Sequence, residues 1–260
     1  MISYILITGA STGIGAEMAK QLAEKKYNLI LVARSIDKLE KLKEDLVSNH
    51  KIEAIVLPAD LSQINGAQQL YNEVKSRQLN VSHLVNNAGF GEYGHFVETS
   101  LELELNMIQV NVTSLVVLTK LFAQDMVKKG EGRIMNVASI VSFIPLPYYA
   151  IYSSTKTFVL AFSETIAAEL EGTGVVVTAL CPGAVETPFH TPKMRQTMAM
   201  KMNQPISVEA LVKEGVQLLL TEKGKKVVGF INWITSKLPK FIPDTWLMKI
   251  KKQIASPYKK

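Results

Sequence analysis

An α/β fold, a doubly wound parallel sheet with helices on both faces, is predicted by three observations. Short apolar runs alternate with longer amphipathic stretches along most of the chain. The short runs are apolar at successive positions, as strands covered on both faces require. The length, 260 residues, suits one core of this type. The right-handed rule for crossovers between parallel strands then leaves the doubly wound arrangement as the leading topology.

The elements follow in order. Ser3–Thr8 reads as a strand that ends in a glycine-rich turn, with a helix over Gly13–Glu24. Asn28–Ala33 is a second strand, and Asp37–Ser48 a charged helix with Leu39, Leu42 and Leu46 on one face. Glu53–Leu57 is predicted as strand, Ile64–Lys75 as helix and His83–Asn86 as strand. A long helical stretch covers Leu101–Lys129, followed by strand Arg133–Ala138, helix Tyr152–Leu170 and strand Val175–Leu180. Ser207–Leu220 is helical again, and Lys226–Gly229 is the last short strand. Residues 1–229 are thus expected to form the domain, with 230–260 as a basic, aromatic-bearing extension.

Composition narrows the class. Apolar residues make up 47% and charged residues 20%, which excludes a disordered chain. One cysteine permits no intrachain disulfide. No uninterrupted apolar run approaches the ~18 residues of a spanning helix. The strand beginning at Ser3 leaves no room for a signal peptide, so a cytoplasmic location is expected. The net charge of +6 is unevenly spread. Residues 222–260 carry ten lysines against Glu222 and Asp244, so residues 1–221 hold 19 basic and 21 acidic side chains. The near-neutral body gives no basis for nucleic-acid binding. The tail is suited either to an anionic membrane surface or to packing over a pocket or a neighbouring subunit.

The first turn reads Thr8-Gly9-Ala10-Ser11-Thr12-Gly13-Ile14-Gly15. Glycines there allow a sharp turn and close backbone approach, and the helix start offers free N–H groups to a phosphate. The spacing differs from GxGxxG, and a merely tight turn is the competing reading. The second strand ends in Ala33-Arg34-Ser35 with no carboxylate at its tip. Arg34 therefore favours the 2′-phosphate of NADP over the ribose hydroxyl of NAD. Asp60-Leu61 lies where a carboxylate can accept from an adenine amino group, and an N-cap role for Asp60 or Ser62 is the alternative.

Ser139 follows a strand at the sheet edge where doubly wound folds place ligands. Tyr152 comes thirteen positions later and Lys156 four beyond that, on the same helix face. A nearby ammonium favours phenolate and would lower the tyrosine pKa from ~10. A surface pair at helical spacing would look the same.

The set in register resembles the short-chain dehydrogenase/reductase family. It comprises Thr8-Gly9-x-x-x-Gly13-x-Gly15, Asn86-Asn87-Ala88-Gly89, Asn111, Ser139, Tyr152-x-x-x-Lys156 and Pro182-Gly183, and spans nearly everything from Ser3 to Gly229. The resemblance implies a seven-stranded parallel Rossmann sheet and hydride transfer between a nicotinamide and a carbonyl or alcohol carbon. It makes Tyr152 the general acid in reduction, Lys156 the group that binds the nicotinamide ribose and lowers the tyrosine pKa, and Ser139 the group that orients the substrate oxygen. Asn111 would hold a water in the proton relay. Cofactor contacts would come from Gly9, Ser11, Thr12, Gly13, Ile14 and Gly15, from Asn87, Ala88 and Gly89, and from Pro182, Gly183, Val185 and Thr187. It also implies a homodimer or homotetramer built on the helices after Asn111 and Tyr152.

Substrate choice is expected in residues 142–151 and in a lid over 184–206, which carries Met194, Met198, Met200 and Met202. Both segments are apolar, which points to an apolar substrate, unless the methionines merely pack the lid onto the body. His50, His83, His95 and His190 show no ligand spacing, so no metal is expected, and Cys181 reads as a packing thiol. Two other classes are a dinucleotide-binding regulator without turnover and a sugar-nucleotide epimerase. A binding-only protein has no need of the proton relay, and the epimerases resemble a longer chain with a substantial C-terminal substrate domain.

Overall fold

The computed structural model describes residues 2–189, 191–197 and 205–256. His190, Met198, Met200 and Met202 lie outside them. The seven strands are β1 (Ser3–Thr8), β2 (Asn28–Ala33), β3 (Ala54–Pro58), β4 (Asn80–Asn86), β5 (Gly132–Val137), β6 (Val175–Cys181) and β7 (Gly224–Val227). They form one sheet in the order β3-β2-β1-β4-β5-β6-β7, parallel throughout. The order reverses between β1 and β4, which opens a crevice beyond their C-terminal ends.

Period-two side-chain alternation divides the core. Ile5 and Ile7 of β1 and Leu29 and Leu31 of β2 face one side, where they meet Met18 and Leu22 of α1 (Gly13–Glu24), Leu39 of α2 (Ile36–His50) and Val212 of α8 (Val208–Thr221). Tyr4, Leu6, Ile30 and Val32 face the other, against α3 (Gly66–Ser76) and α5 (Leu115–Lys129). Each such fully buried aliphatic contributes about 1.5–3 kcal/mol. The C-terminal end of α8 is closed by Arg133 of β5, whose guanidinium donates to the carbonyls of Leu218, Leu219 and Glu222.

The stretch predicted as one helix over Leu101–Lys129 is α4 (Leu101–Ile108), a π turn over Gln109–Ser114, and α5. By length and hydropathy alone it would suffice to cross a membrane. Here Leu118, Phe122 and Met126 pack it into the core. Next come α6 (Ala150–Glu169), a single turn α7 (Pro192–Arg195) and, after β7, helices α9 (Phe230–Lys237) and α10 (Asp244–Ala255). β4 begins three residues before the predicted His83, because Ser3 and Tyr4 of β1 pair with Asn80 and Val81 across an irregularity in register. That irregularity breaks the apolar run on which the strand was read.

Candidate active site

Thr8 ends β1 and ties the two strands flanking the crevice. Its hydroxyl donates to the Val85 carbonyl (3.2 Å) and accepts from the Asn87 and Ala88 amides (both 3.0 Å). The Asn87 amide returns hydrogen bonds to the Thr8 and Gly9 carbonyls (3.0 and 3.2 Å). Two glycines are required by this closeness. Gly9 has φ +66°, and a Cβ on Gly15 would lie 2.3 Å from the Gly9 carbonyl oxygen. Beneath lies a buried polar chain. Asn86 donates to Thr119 and to Asn136, and Asn136 donates to Ser163, each at 2.9 Å, which locks β4, β5, α5 and α6 together.

A cleft of about 980 Å³ opens at the strand ends. Every predicted catalytic and cofactor residue lines it except Gly15 and Asn111, which lie behind its wall, and of the predicted substrate segment 142–151 Ile144, Leu146 and Tyr149 do so. The residues fit a dinucleotide. The N-terminus of α1 opens on the cleft with no side-chain cap from Thr12, so its first N–H groups are free for a pyrophosphate. Arg34 stands exposed at the rim and makes no hydrogen bond or ion pair among the described residues. Asp60 is committed locally. Its carboxylate accepts from the Ser62 amide (3.0 Å), the Ser62 hydroxyl (2.7 Å) and Gln63 (3.3 Å). The Ser62 hydroxyl chiefly, and the Arg34 charge more weakly, hold that carboxyl below its ordinary pKa. Asp60 thus shapes the turn at the cleft edge, and the N-cap position of α3 is Asn65, neither Asp60 nor Ser62.

At the other end of the cleft stand Ser139, Tyr152 and Lys156. Ser139 follows β5, and α6 carries the other two one turn apart. Tyr148 precedes that helix in the left-handed region (φ +65°), its ring against Tyr93 and His95. Tyr152 packs on Phe189 and Tyr149 and lines the cleft beside Ser139. Lys156 is buried, and its ammonium donates to the Val137 carbonyl (2.7 Å).

The protonation of the pair differs from the expectation. Burial pushes the Tyr152 phenol up to about 12, and only the Ser139 hydrogen bond pulls the other way. Burial pushes Lys156 down to about 8. The ammonium is turned to the Val137 carbonyl, so it does not depress the tyrosine, and Tyr152 stands as a neutral acid at pH 7.

Asn111, in the π turn, spends its amide on protein. Nδ2 donates to the Phe90 carbonyl (3.0 Å) and the Thr155 hydroxyl (3.1 Å), and Oδ1 accepts from the Phe90 amide (3.1 Å). It pins the loop after Gly89, where a Cβ would lie 2.9 Å from Asn111 Oδ1 and 3.4 Å from Lys156 Nζ. Cys181 is buried, which raises its thiol to about 12 and leaves it an unreactive packing group.

Some cleft residues escaped the sequence reading. Phe90 lines it, as do Ile231 and Thr235 of α9 and Ile254 of α10, beside Phe189 of the predicted lid. The tail therefore closes over the cleft. The Tyr93 hydroxyl clamps it by donating to the Ala255 carbonyl (2.8 Å). Only the aromatic and aliphatic content of the tail hinted at this.

The short chain dehydrogenase family model matches residues 3–198. The chain is 36% identical over 247 residues to the very-long-chain 3-oxoacyl-CoA reductase of Pyrenophora tritici-repentis, covering 90% of this chain and 71% of that one. The human protein of the same description is 29% identical over 263 residues, covering 99% and 82%. A short-chain dehydrogenase from Sphingobium yanoikuyae, solved in complex with NADPH, superposes with a TM-score of 0.81 at 28% identity, covering 93% of this chain and 96% of that one. With the parallel seven-stranded sheet, the chain belongs to the short-chain dehydrogenase/reductase family and is an oxidoreductase acting between C=O and CH–OH groups with a nicotinamide cofactor.

Proposed function

We propose that the protein is an NADPH-dependent reductase of carbonyl groups on apolar substrates, with long-chain 3-oxoacyl thioesters as the substrate class. The observation that carries this reading is the composition of the cleft. It has Arg34 at its rim, while the cleft that holds Tyr152 is also lined by Ile144, Leu146, Met194, Ile231 and Ile254. The two relatives described as very-long-chain 3-oxoacyl-CoA reductases support the same class.

A bound nicotinamide supplies the hydride. The chain does the rest. The Ser139 and Tyr152 hydroxyls, which line the same end of the cleft, present a two-donor grip for a carbonyl oxygen. Tyr152, protonated at neutral pH, gives its proton to that oxygen as charge develops on it. Lys156, fixed on the Val137 carbonyl one helical turn from the phenol, would hold the nicotinamide ribose with its ammonium. Asn111 keeps the Phe90 loop against this group. Arg34 holds the 2′-phosphate, and the start of α1 holds the pyrophosphate. The homo-oligomer expected from α5 and α6 belongs to this proposal, since Phe158 of α6 is exposed and stacks on Phe162 (centroids 5.7 Å).

NADPH oxidation measured against 3-oxoacyl-CoA substrates of rising chain length tests it. Each methylene buried in the cleft is expected to raise kcat/KM about fourfold until the apolar wall is covered. Turnover of small hydrophilic ketones alone would overturn the assignment.

A further inference from the structure

The C-terminal helices have two faces in opposite surroundings. The inner face is packed on the body. Leu247 and Ala255 are buried, and Asn232 sits against Gly183 so closely that a Cβ there would lie 2.3 Å from its amide nitrogen. The outer face is apolar and bare. On α9, Phe230, Trp233 and Ile234 recur at i, i+3 and i+4, Leu238 follows just past the helix end, and all are exposed. Phe241 is 82% exposed, and on α10 Trp246 is 70% exposed with Ile250 one turn on. Soluble monomers rarely expose contiguous apolar patches beyond a few hundred Å².

Charge identifies what covers this face. Residues 230–256 carry Lys237, Lys240, Lys249, Lys251 and Lys252 against Asp244, a net of +4. A second copy laid on the same face would bring like charge to like charge, whereas an anionic lipid surface is attracted. The Lys237 ammonium lies over the Trp233 ring (5.9 Å to its centroid), a cation beside an amphipathic ring of the kind that settles at headgroup depth. The cleft also opens here, since Ile231 lines it and is itself 64% exposed.

We infer that the outer face of α9 and α10 docks on an anionic membrane and sets the mouth of the cleft against the lipid. The docking surface stands on exposure and charge, independently of the reductase reading. It resolves the two roles the tail composition allowed: the inner face covers the cleft, and the outer face meets the bilayer.

The protein's two tryptophans are Trp233 and Trp246, so intrinsic fluorescence reports on this face alone. Full-length protein mixed with phosphatidylserine/phosphatidylcholine vesicles is expected to co-sediment and to shift its emission to the blue. Lys249→Gln with Lys252→Gln should weaken partitioning about thirtyfold. Trp233→Ser with Trp246→Ser should abolish co-sedimentation without changing the melting temperature, because both rings are exposed. No co-sedimentation at millimolar anionic lipid would overturn the inference. So would a blue shift that follows protein concentration without lipid and accompanies a dimeric mass in sedimentation, which would make a second copy the occupant. Vesicle binding with no carbonyl reduction would overturn the reductase reading and leave the docking surface standing.

Discussion

Replacing Arg34 by glutamine probes the cofactor end of the cleft without disturbing the fold. The side chain is exposed and takes part in no ion pair among the described residues, and the neighbouring Asp60 carboxylate is held by Ser62 and Gln63 instead. Its removal leaves no buried partner stranded, so stability should change by no more than ~0.5 kcal/mol. A charge-assisted hydrogen bond to a phosphate is worth about 1.5–3 kcal/mol, and the exposure of Arg34 puts the loss toward the lower half, about 2 kcal/mol. That corresponds to NADPH binding about thirtyfold more weakly. NADH lacks the 2′-phosphate and should change less than about threefold, a few tenths of a kcal/mol. Arg34→Asp should enlarge the difference, since it sets a second carboxylate beside Asp60 where the phosphate would lie. Isothermal titration of both cofactors into wild type and variants reads these ratios directly. Equal loss of NADPH and NADH affinity, or no loss of either, would refute the role given to Arg34.

Two further predictions rest on buried titrating groups. Burial first, and the Arg133 charge second, push His83 down to about 4, so the folded protein holds it neutral. The unfolded chain binds the extra proton between about 6.5 and 4, and stability is therefore lost as pH falls through that window. At pH 5 this amounts to ~2 kcal/mol, which urea unfolding should show in wild type and not in His83→Gln; equal pH dependence in both would count against it. Lys156, pushed down to about 8 by burial, loses its charge as pH rises through that value, while Tyr152 stays protonated up to about 12. In the reducing direction kcat/KM should fall above pH ~8, and a profile flat from pH 7 to 10 would contradict a charged Lys156 in the reaction.

The fold was legible because both faces of the sheet are covered. Runs such as Leu29-Ile30-Leu31-Val32 have no polar position, and only a parallel sheet between helix layers accommodates them. The site was legible for a related reason. Backbone turns that need glycine, and side chains that need helical spacing, leave marks at fixed intervals, as Gly9, Gly13, Gly15 and the Tyr152–Lys156 pair do. What escaped depends on where side chains point in space. Helical spacing brings Lys156 to the face of Tyr152, yet the ammonium's nearest acceptor is a carbonyl of β5, two strands away from the turn that carries the glycines. Asp60 reads equally as a ligand or a helix N-cap until Ser62 and Gln63 are seen around it and Asn65 is found at the start of α3. The apolar residues of the tail divide between cleft and exterior, as Leu247 and Trp246 do one residue apart, and no periodicity in so short a helix says which face the body covers.

Tyr152→Phe removes one hydroxyl and keeps the ring that packs on Phe189 at 5.4 Å. Followed by NADPH absorbance with a long-chain 3-oxoacyl thioester, the variant is predicted to lose about 10²–10⁴ in kcat while binding NADPH as the wild type does. Turnover within tenfold of wild type would contradict Tyr152 as the proton donor, and with it the chemistry assigned to the cleft.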